Sequence, residues 1–346
     1  MQKCTYCNFA SGVFPRALEV RYLDVLLGQL RATEWEWTPE TVYLGGGTPS
    51  QLAEDALGSV LAAIPGREWA EATIEAAPGG LSAEKIAAWR EAGINRVSLG
   101  VQSFVQQELA RTGRRHTAEI VEQEVALLHA AGIKSISVDL IAGLPGQTEA
   151  SWAESLDWVE RLGVPHVSVY MLEVDEDSRL GRELLVLGSR YGAGDVPGED
   201  AIADFYETAV ERLARLGIER YEISNFARAG FESRHNLKYW KREPYLGFGA
   251  DAHSFDGTMR WQNPESAADY VAAPGAIEQV AAEPVSESFF LGLRLREGIA
   301  SGGFADVVDR FVQDGLLERA GGRVRLTSRG VLLSNEVFAE FIQPAG

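Results

Sequence analysis

The chain has 346 residues, 46% of them apolar, and its 32 Lys and Arg are outnumbered by 50 Asp and Glu, which gives a net charge of −18. This length and apolar fraction suffice for one large domain plus something smaller. The acidic charge disfavours nucleic acid as a partner, because a phosphate backbone is held by basic surface. No run is apolar enough for a transmembrane segment and no signal peptide precedes the first cysteine, so we expect a cytoplasmic protein.

The chain opens with its only two cysteines, Cys4 and Cys7. Two thiols at this spacing suit a zinc site, a redox dithiol or an iron–sulfur cluster about equally well. A zinc site needs further Cys or His nearby, yet the first histidine is His116. A thioredoxin-type dithiol needs a preceding strand, and only three residues stand before Cys4. Both of these alternatives are therefore weaker than a cluster, although the spacing alone excludes neither.

Short apolar runs alternate with longer amphipathic segments over most of the chain. The runs predict strands at residues 41–44, 72–75, 96–101, 135–141, 166–171 and 221–224. The amphipathic segments predict helices at residues 16–31, 53–64, 105–131, 149–162 and 199–216, with another beginning at Ser82. This alternation is typical of βαβ units and a parallel sheet.

Most of the predicted strands end on a polar or conformationally permissive residue. These residues are Gly47, Thr48, Glu75, Gln102, Asp139, Glu173 and Asn225. In a β/α barrel the carboxyl ends of all strands meet at one mouth, whereas in a flat doubly wound sheet only those near the crossover meet. The sequence therefore predicts an α/β fold with a partial (β/α)6 TIM-like barrel over residues 1–230.

The strand–helix alternation stops after the predicted barrel. Residues 231–284 are rich in aromatic residues, Gly and His, which favours a loop-rich segment. Residues 285–346 carry three helical patterns and an alternating run at 323–327, which predicts a small winged-helix-like module. Some winged helices bind DNA, but the acidic chain favours a packing domain.

Five separated motifs together resemble one known family. They are the cysteine loop followed by Phe9, the Gly-Gly-Gly-Thr-Pro turn at 45–49, residues 100–104, residues 138–148, and the motif His235-Asn236-x-x-Tyr239-Trp240. Over nearly the whole chain and in this order, they resemble the HemW-type haem chaperones. These are radical S-adenosylmethionine (SAM) proteins related to oxygen-independent coproporphyrinogen III oxidases of the HemN type. The resemblance implies a radical SAM barrel, a [4Fe–4S] cluster, SAM and haem.

The resemblance assigns the cysteines to the cluster. The family loop is C-x-x-x-C-x-x-C, in which three thiolates hold three irons and the fourth iron binds SAM. Cys4 and Cys7 match the second and third of these thiolates. The first would fall just before Met1, so we expect the sequence to start inside the ligand loop and to lack the first strand of the barrel. Two thiolates do not hold such a cluster securely.

The resemblance also implies a set of SAM-binding residues. Tyr6 would lie against SAM beside the cluster, the glycine turn would bind its amino group, and Glu75 would contact the ribose hydroxyls. Asp139 has independent support, because an unpartnered carboxylate in an apolar strand is costly to bury. Arg111 and Arg115 are close alternatives to Arg114. The full set is Tyr6, Gly46, Gly47, Thr48, Glu75, Gln102, Arg114 and Asp139.

A second centre is formed by His235, Tyr239 and Trp240, which the resemblance links to haem. An imidazole can ligate haem iron, and aromatic rings can pack on the face of a porphyrin. A core histidine bonded to backbone is the alternative for His235. His253, in a Gly-rich segment, is a weaker candidate.

Two functions remain open from the sequence. A haem chaperone would bind haem and pass it to acceptor proteins. The cluster and SAM would then have a supporting role, and the chain would have no catalytic residue. An oxidase of the HemN type would cleave SAM and decarboxylate coproporphyrinogen. That type has a further Cys two places after the third ligand, where this chain has Phe9. Phe9 and the His-Asn-x-x-Tyr-Trp motif favour the chaperone.

Overall fold

The computed structural model describes residues 4–6, 15–176, 178–275 and 279–342. Contacts divide the chain into two compact units. The first consists of residues 1–219 with 226–231, and the second of residues 220–225 with 232–346. None of the described helices is long and apolar enough to cross a membrane.

A seven-stranded sheet in the order β1-β2-β3-β4-β5-β7-β6 forms the framework of the barrel. The first five strands run parallel to one another, each paired with the next in the chain. This arrangement confirms the predicted α/β barrel type of fold. The strands are β1 (Thr41–Leu44), β2 (Glu71–Ala76), β3 (Arg96–Gln102), β4 (Ser135–Ala142), β5 (His166–Met171), β6 (Glu219–Arg220) and β7 (Asn225–Ala227).

Helices follow the strands, and hydroxyl side chains start several of them. Ser82, Thr117 and Thr148 each accept a backbone N–H in the first turn of a helix, which satisfies a donor that the helix itself leaves unpaired. The helices are α1 (Arg16–Ala32), α2 (Glu54–Ala62), α3 (Ala83–Glu91), α4 (Gln106–Arg111), α5 (Ala118–Ala130), α6 (Glu149–Leu162), α7 (Arg179–Leu185) and α8 (Glu199–Arg215), with short 3₁₀ turns at Pro49–Gln51 and Arg190–Asp195.

The central strands carry apolar side chains on one face and polar side chains on the other. In β3, the fully buried Val97, Leu99 and Val101 alternate with Ser98, Gly100 and Gln102. β4 repeats the pattern, with Ile136, Val138 and Leu140 alternating with Ser137 and Asp139. Because successive side chains of a strand point to opposite faces, the polar residues of both strands share one face of the sheet.

The strand predicted at residues 221–224 is wrong, because β6 and β7 lie on either side of this segment. The carboxylate of the buried Glu222 accepts the N–H of Ser224 at 3.1 Å and a bond from the side chain of Asn225. The backbone donor of Ser224 is thus used locally, and the segment forms a turn. The helices predicted over residues 105–131 are α4 and α5, which are separated at Gly113, whose φ is +83°.

The second unit contains two three-stranded antiparallel sheets in the orders β10-β9-β8 and β11-β13-β12. The first of these sheets falls in the segment predicted to be loop-rich. Four phenylalanine rings, those of Phe289, Phe304, Phe311 and Phe341, pack together in the C-terminal part. The elements are α9 (Arg234–Trp240), β8 (His253–Phe255), β9 (Met259–Gln262), α10 (Ala267–Ala272), β10 (Gln279–Ala281), α11 (Pro284–Gly292), β11 (Ile299–Ala300), α12 (Ala305–Gln313), β12 (Leu317–Ala320), β13 (Arg323–Leu326), α13 (Ser328–Leu332) and α14 (Ser334–Ala339).

Candidate functional site

Glu75 joins the ends of β1 and β2. The hydroxyl of Tyr43 donates to its Oε1 at 2.8 Å, and the backbone N–H of Gly46 donates to its Oε2 at 3.2 Å. A Cβ at Gly45 would lie 2.7 Å from Cε1 of Tyr43 and 3.0 Å from Oε1 of Glu75, so a larger residue there would require these side chains to shift. The carboxylate thus holds the glycine loop against the end of the sheet.

The loop after Gly45 exposes backbone to the surroundings. Gly46 and Gly47 have φ angles of +74° and +57°, the left-handed region that glycine enters without steric cost. A Cβ on either residue would meet nothing within 4 Å. Successive residues of this kind leave polar backbone groups accessible to a ligand. Thr48 follows with φ −151° and ψ 79°, just before the 3₁₀ turn.

Asp139 lies on the polar face of the sheet, among hydroxyl groups from neighbouring strands. Ser98 donates to both carboxylate oxygens at 3.0 Å, and Ser137 lies 3.3 Å from Oδ1. Ser168 of β5 also hydrogen-bonds to this carboxylate. Burial raises the pKa of Asp139, and the three serine bonds oppose that rise. Asp139 is half-buried, and its partners inside the apolar strand region are hydroxyl groups of its own and neighbouring strands.

The Glu75 and Asp139 carboxylates are close enough to influence each other. Burial raises the pKa of Glu75, and the charge of Asp139 adds to the rise while the Tyr43 bond opposes it. Tyr43 is sensitive to both acids, since its own pKa is raised by burial and then by the charges of Glu75 and Asp139. The carboxylates of Glu75 on β2 and Asp139 on β4 thus form one acidic centre on the polar face of the sheet.

Gln102 and Arg114 approach each other beside Gly100. A Cβ on Gly100 would lie 3.2 Å from Nε2 of Gln102 and 3.8 Å from Nη1 of Arg114. Arg114 Nη1 donates to the carbonyl of Gly100 at 2.9 Å. Gln102 has φ +73°, at a point where the β3–β4 register shifts. Such irregular backbone at the end of a barrel strand aims a side chain away from the regular pleat.

Cys4 and Tyr6 contact Arg114. Burial would lower the pKa of Arg114, but the neighbouring Tyr6 and Cys4 raise it overall. The loop is tied at Thr5, whose N–H donates to Thr112 O at 3.4 Å and whose carbonyl accepts the N–H of Leu180 at 2.9 Å. The described part of the cysteine loop therefore lies next to Gln102 and Gly100. Cys7 and Phe9 lie outside the described residues.

Arg114 is distinguished from its two sequence neighbours by its surroundings. Arg111 forms an ion pair of 3.1 Å with Asp195 and donates to Pro145 O, which is a structural role. Arg115 is exposed. Arg114 is mostly buried, and its Nε has no hydrogen-bond acceptor within the described ranges. A buried donor without an acceptor is the feature expected of a residue that completes its bonding with a ligand.

The residues of this centre fit SAM in chemistry. SAM offers an ammonium, a carboxylate and ribose hydroxyls, which match the two acids, the open glycine backbone and the unpartnered Arg114 donor. Of the two cysteines, Cys4 lies beside this centre, next to Arg114. Among the residues that the structure describes, no group of three or more His, Cys, Asp or Glu side chains is placed to hold a metal ion.

His235 occupies a different site, on α9 in the second unit. Its Nε2 lies 2.7 Å from the hydroxyl of Tyr239, and the two rings meet edge to face at 5.0 Å. Burial, with a smaller effect of Lys238, lowers the pKa of His235 to about 4. The imidazole is therefore neutral at neutral pH, the form that ligates iron. Trp240 stacks under the guanidinium of Arg294 at 4.3 Å.

Three further candidates do not join these centres. Asn225 bonds to Glu222 in the second unit, Glu173 is exposed two residues beyond β5, and His253 is exposed at the start of β8. Residues that sequence reasoning missed are Tyr43, Ser98, Ser137 and Ser168. The sequence does contain a signal for two of them. Ser137 is two residues before Asp139 and so shares its face of the strand, and Ser98 has the corresponding place in the adjacent predicted strand.

Comparison with known proteins identifies the family. The family model described as Radical SAM superfamily matches residues 1–159, and the model described as HemN C-terminal domain matches residues 281–333. The chain is 34% identical to heme chaperone HemW of Bacillus subtilis, covering 98% of this chain and 96% of that protein. It is 33% identical to heme chaperone HemW of Lactococcus lactis, covering 98% and 94%.

A solved structure shares the fold. Coproporphyrinogen III oxidase (HemN) from Escherichia coli, a radical SAM enzyme, superimposes with a TM-score of 0.80 at 19% identity, over 98% of this chain and 87% of that one. This likeness confirms the radical SAM type of barrel. The sequence identity to the two HemW relatives over nearly their full length shows that the chain belongs to the heme chaperone HemW family of the radical SAM superfamily.

Proposed function

We propose that this protein is a haem chaperone, which binds haem through His235 and delivers it to haem-accepting proteins. The observation that carries the proposal is the half-buried, neutral imidazole of His235, whose ring meets that of Tyr239 edge to face, with Trp240 at the end of the same helix. A neutral imidazole supplies a lone pair for iron, and aromatic side chains supply apolar surface for a porphyrin. The relatives named heme chaperone HemW support the same function.

The His235–Tyr239 bond bears on how iron would be held. Nε2 of His235 is engaged with the Tyr239 hydroxyl at 2.7 Å. An iron bound at Nε2 takes the place of that bond, and the hydroxyl then needs another partner. Tyr239 is therefore expected to change its hydrogen bonding when haem binds, while its ring stays beside the imidazole.

We also propose SAM as a ligand of the barrel centre. Glu75, Gln102, Arg114 and Asp139 would surround it, with Tyr6 and the loop of Gly46, Gly47 and Thr48. When bound with a complete cluster, SAM supplies radical chemistry in this superfamily. The residues of this chain would orient SAM, through backbone and carboxylate contacts, and partly exclude water. The cluster, the acceptor proteins and the cytoplasmic location stay predictions.

Haem titration tests the chaperone proposal. We expect the wild-type protein to give a saturable Soret shift with ferric haem, and His235→Ala to lose it. His129→Ala is a matched control, because His129 is exposed near the end of α5. His253→Ala separates the second candidate histidine from the first. An unchanged Soret shift in His235→Ala would contradict the assignment of His235 as the haem ligand. Turnover of coproporphyrinogen by the protein would show that it is an oxidase rather than a chaperone.

A further inference from the structure

A network of aromatic and charged residues extends from the proposed haem-binding histidine toward α11. The ring of Tyr239, which bonds to His235, meets the ring of Tyr245 edge to face at 4.6 Å and 86°. The hydroxyl of Tyr245 accepts a bond of 3.2 Å from Nη1 of Arg260. Tyr239 is thus held between His235 on one side and Tyr245 on the other.

Glu287 of α11 is the anion at the far end of this network. Its carboxylate accepts two bonds from Arg260, from Nε at 2.9 Å and from Nη2 at 2.8 Å. It accepts a third bond, of 2.6 Å, from Nε of Arg242. The side chain of Glu287 is only 7% exposed. A buried, bidentate Arg–carboxylate pair fixes the orientation of both partners, because each bond constrains the other.

The two arginines share one aromatic ring. The guanidinium carbons of Arg242 and Arg260 lie 4.7 Å and 4.2 Å from the centre of the Phe255 ring. Phe255 in turn pairs with Tyr245 through two backbone hydrogen bonds, of 2.8 Å and 2.9 Å. The charged end and the aromatic end of the network are therefore joined through the backbone as well as through side chains.

Arg242 connects Glu287 back to α9 by a second route. It stands just after the helix, with φ +58°, a left-handed conformation that a non-glycine residue adopts at some steric cost. Its backbone N–H donates to Tyr239 O at 3.0 Å. Such a conformation persists where the surroundings hold the residue, and here the bond to Glu287 does so.

We propose that Glu287 is a positioning residue for haem binding: through Arg260 and Tyr245, and through Arg242, it fixes Tyr239 and thereby the imidazole of His235. This inference rests on the proposed function, since it assumes that His235 receives the iron. Glu287 would act on His235 and Tyr239 through the residues between them. Its effect reaches them through a chain of packed and hydrogen-bonded groups, all of them within the second unit.

The test compares Glu287→Gln and Tyr245→Phe with a matched control. Glu318→Gln is that control, because Glu318 pairs with Arg325 at 2.6 Å in the same unit but outside the network. We expect Glu287→Gln to speed haem dissociation about tenfold and Tyr245→Phe about threefold, since a bond to a charged group contributes more than a neutral one. Glu318→Gln should leave the rate unchanged. Tyr245→Phe removes only one hydroxyl group, so its haem dissociation rate still tests the proposal if Glu287→Gln does not fold.

Nitrogen NMR of the haem-free protein provides a second readout. The chain has five histidines, and His235→Ala identifies the signal of His235. We expect Glu287→Gln and Tyr245→Phe to shift the His235 Nε2 resonance and leave the other histidines in place. If His235→Ala loses haem while both variants match Glu318→Gln in rate and spectrum, the positioning role is wrong and the chaperone proposal stands. If His235→Ala keeps its haem, both proposals fall.

Discussion

Tyr43 and Glu75, on neighbouring strands β1 and β2, are joined by a hydrogen bond of 2.8 Å from the tyrosine hydroxyl to Oε1. Because the N–H of Gly46 takes the other oxygen, one carboxylate fixes both the strand pair and the glycine loop. A ligand that reaches this loop therefore meets a backbone that is already in place, which lowers the entropy cost of binding it.

Glu75→Gln should weaken SAM binding about tenfold, because it removes a charge that accepts two bonds and would meet a cationic, hydroxyl-rich ligand. Tyr43→Phe should weaken it about threefold through the loop alone. Calorimetric titration of SAM measures both effects. Glu84→Gln, on the exposed first turn of α3, is the control. Equal affinities for Glu75→Gln and Glu84→Gln would remove Glu75 from the proposed site.

Gln102 offers a way to separate backbone strain from side-chain function. Its φ of +73° costs a non-glycine residue about 1 kcal/mol, which Gln102→Gly relieves and Gln102→Ala does not. We expect the Gly variant to be about 1 kcal/mol more stable than the Ala variant in urea unfolding. Both should lose the same SAM affinity, since both lack the amide. Wild-type affinity in the Gly variant would show that the amide does not contact the ligand.

The barrel and its polar rim could be predicted from the sequence for a simple reason. Strands buried between layers appear as apolar runs, and a Glu75 or an Asp139 at the end of such a run has few structural uses. The partners of these acids were less visible. Tyr43 resembles any aromatic strand residue, and Ser98 or Ser137 resembles a small filler until the register of neighbouring strands is known.

Other features depend on contacts between residues far apart in the chain. The turn at residues 221–224 exists because the buried Glu222 is matched by Arg294, which stands 3.3 Å away and comes from another segment. Local apolar pattern alone predicts a strand there. The left-handed conformation of Gln102 is likewise absent from the pattern, because glutamine has no preference for positive φ and the β3–β4 register imposes it.

Asp139 should give the wild-type protein a recognisable pH dependence. Its pKa in the folded protein lies above the ordinary 3.8, so the folded state holds the proton more tightly than the unfolded chain does. The relevant pH window lies between the ordinary pKa of 3.8 and the raised pKa of Asp139 in the folded protein. As the pH rises through this window, the contribution of Asp139 to stability falls, and it recovers as the pH falls back toward 3.8. Each pH unit inside the window changes it by about 1.4 kcal/mol.

Urea unfolding of the wild-type and Asp139→Asn proteins at pH 7 and pH 4.5 checks this expectation. The wild type should gain stability relative to Asp139→Asn at the lower pH, because only the wild type takes up the extra proton on folding. Asp55→Asn, on the exposed side of α2, controls for the loss of one carboxyl group. A difference that reverses with pH would show that the serine bonds outweigh burial at Asp139, and a constant difference would show that they balance it.

Glu124 of α5 holds the segment that follows β2, directly after Glu75 and Ala76. Its Oε1 accepts the N–H of Gly79 at 3.0 Å and that of Leu81 at 2.8 Å, and the residue is only 4% exposed. Both bonds use the same oxygen, while Oε2 is buried without a partner among the residues described. The amide of glutamine keeps that one acceptor and carries no charge.

Glu124→Gln should therefore change the free energy of unfolding by less than about 1 kcal/mol, whereas Glu124→Leu should cost about 1 to 3 kcal/mol, because two partly buried backbone N–H groups lose their acceptor. Chemical denaturation at pH 7 distinguishes the two. Burial raises the pKa of Glu124, so the Gln variant also avoids the cost of holding a charge in this position. If Gln and Leu destabilise equally, the negative charge rather than the single acceptor oxygen holds this segment.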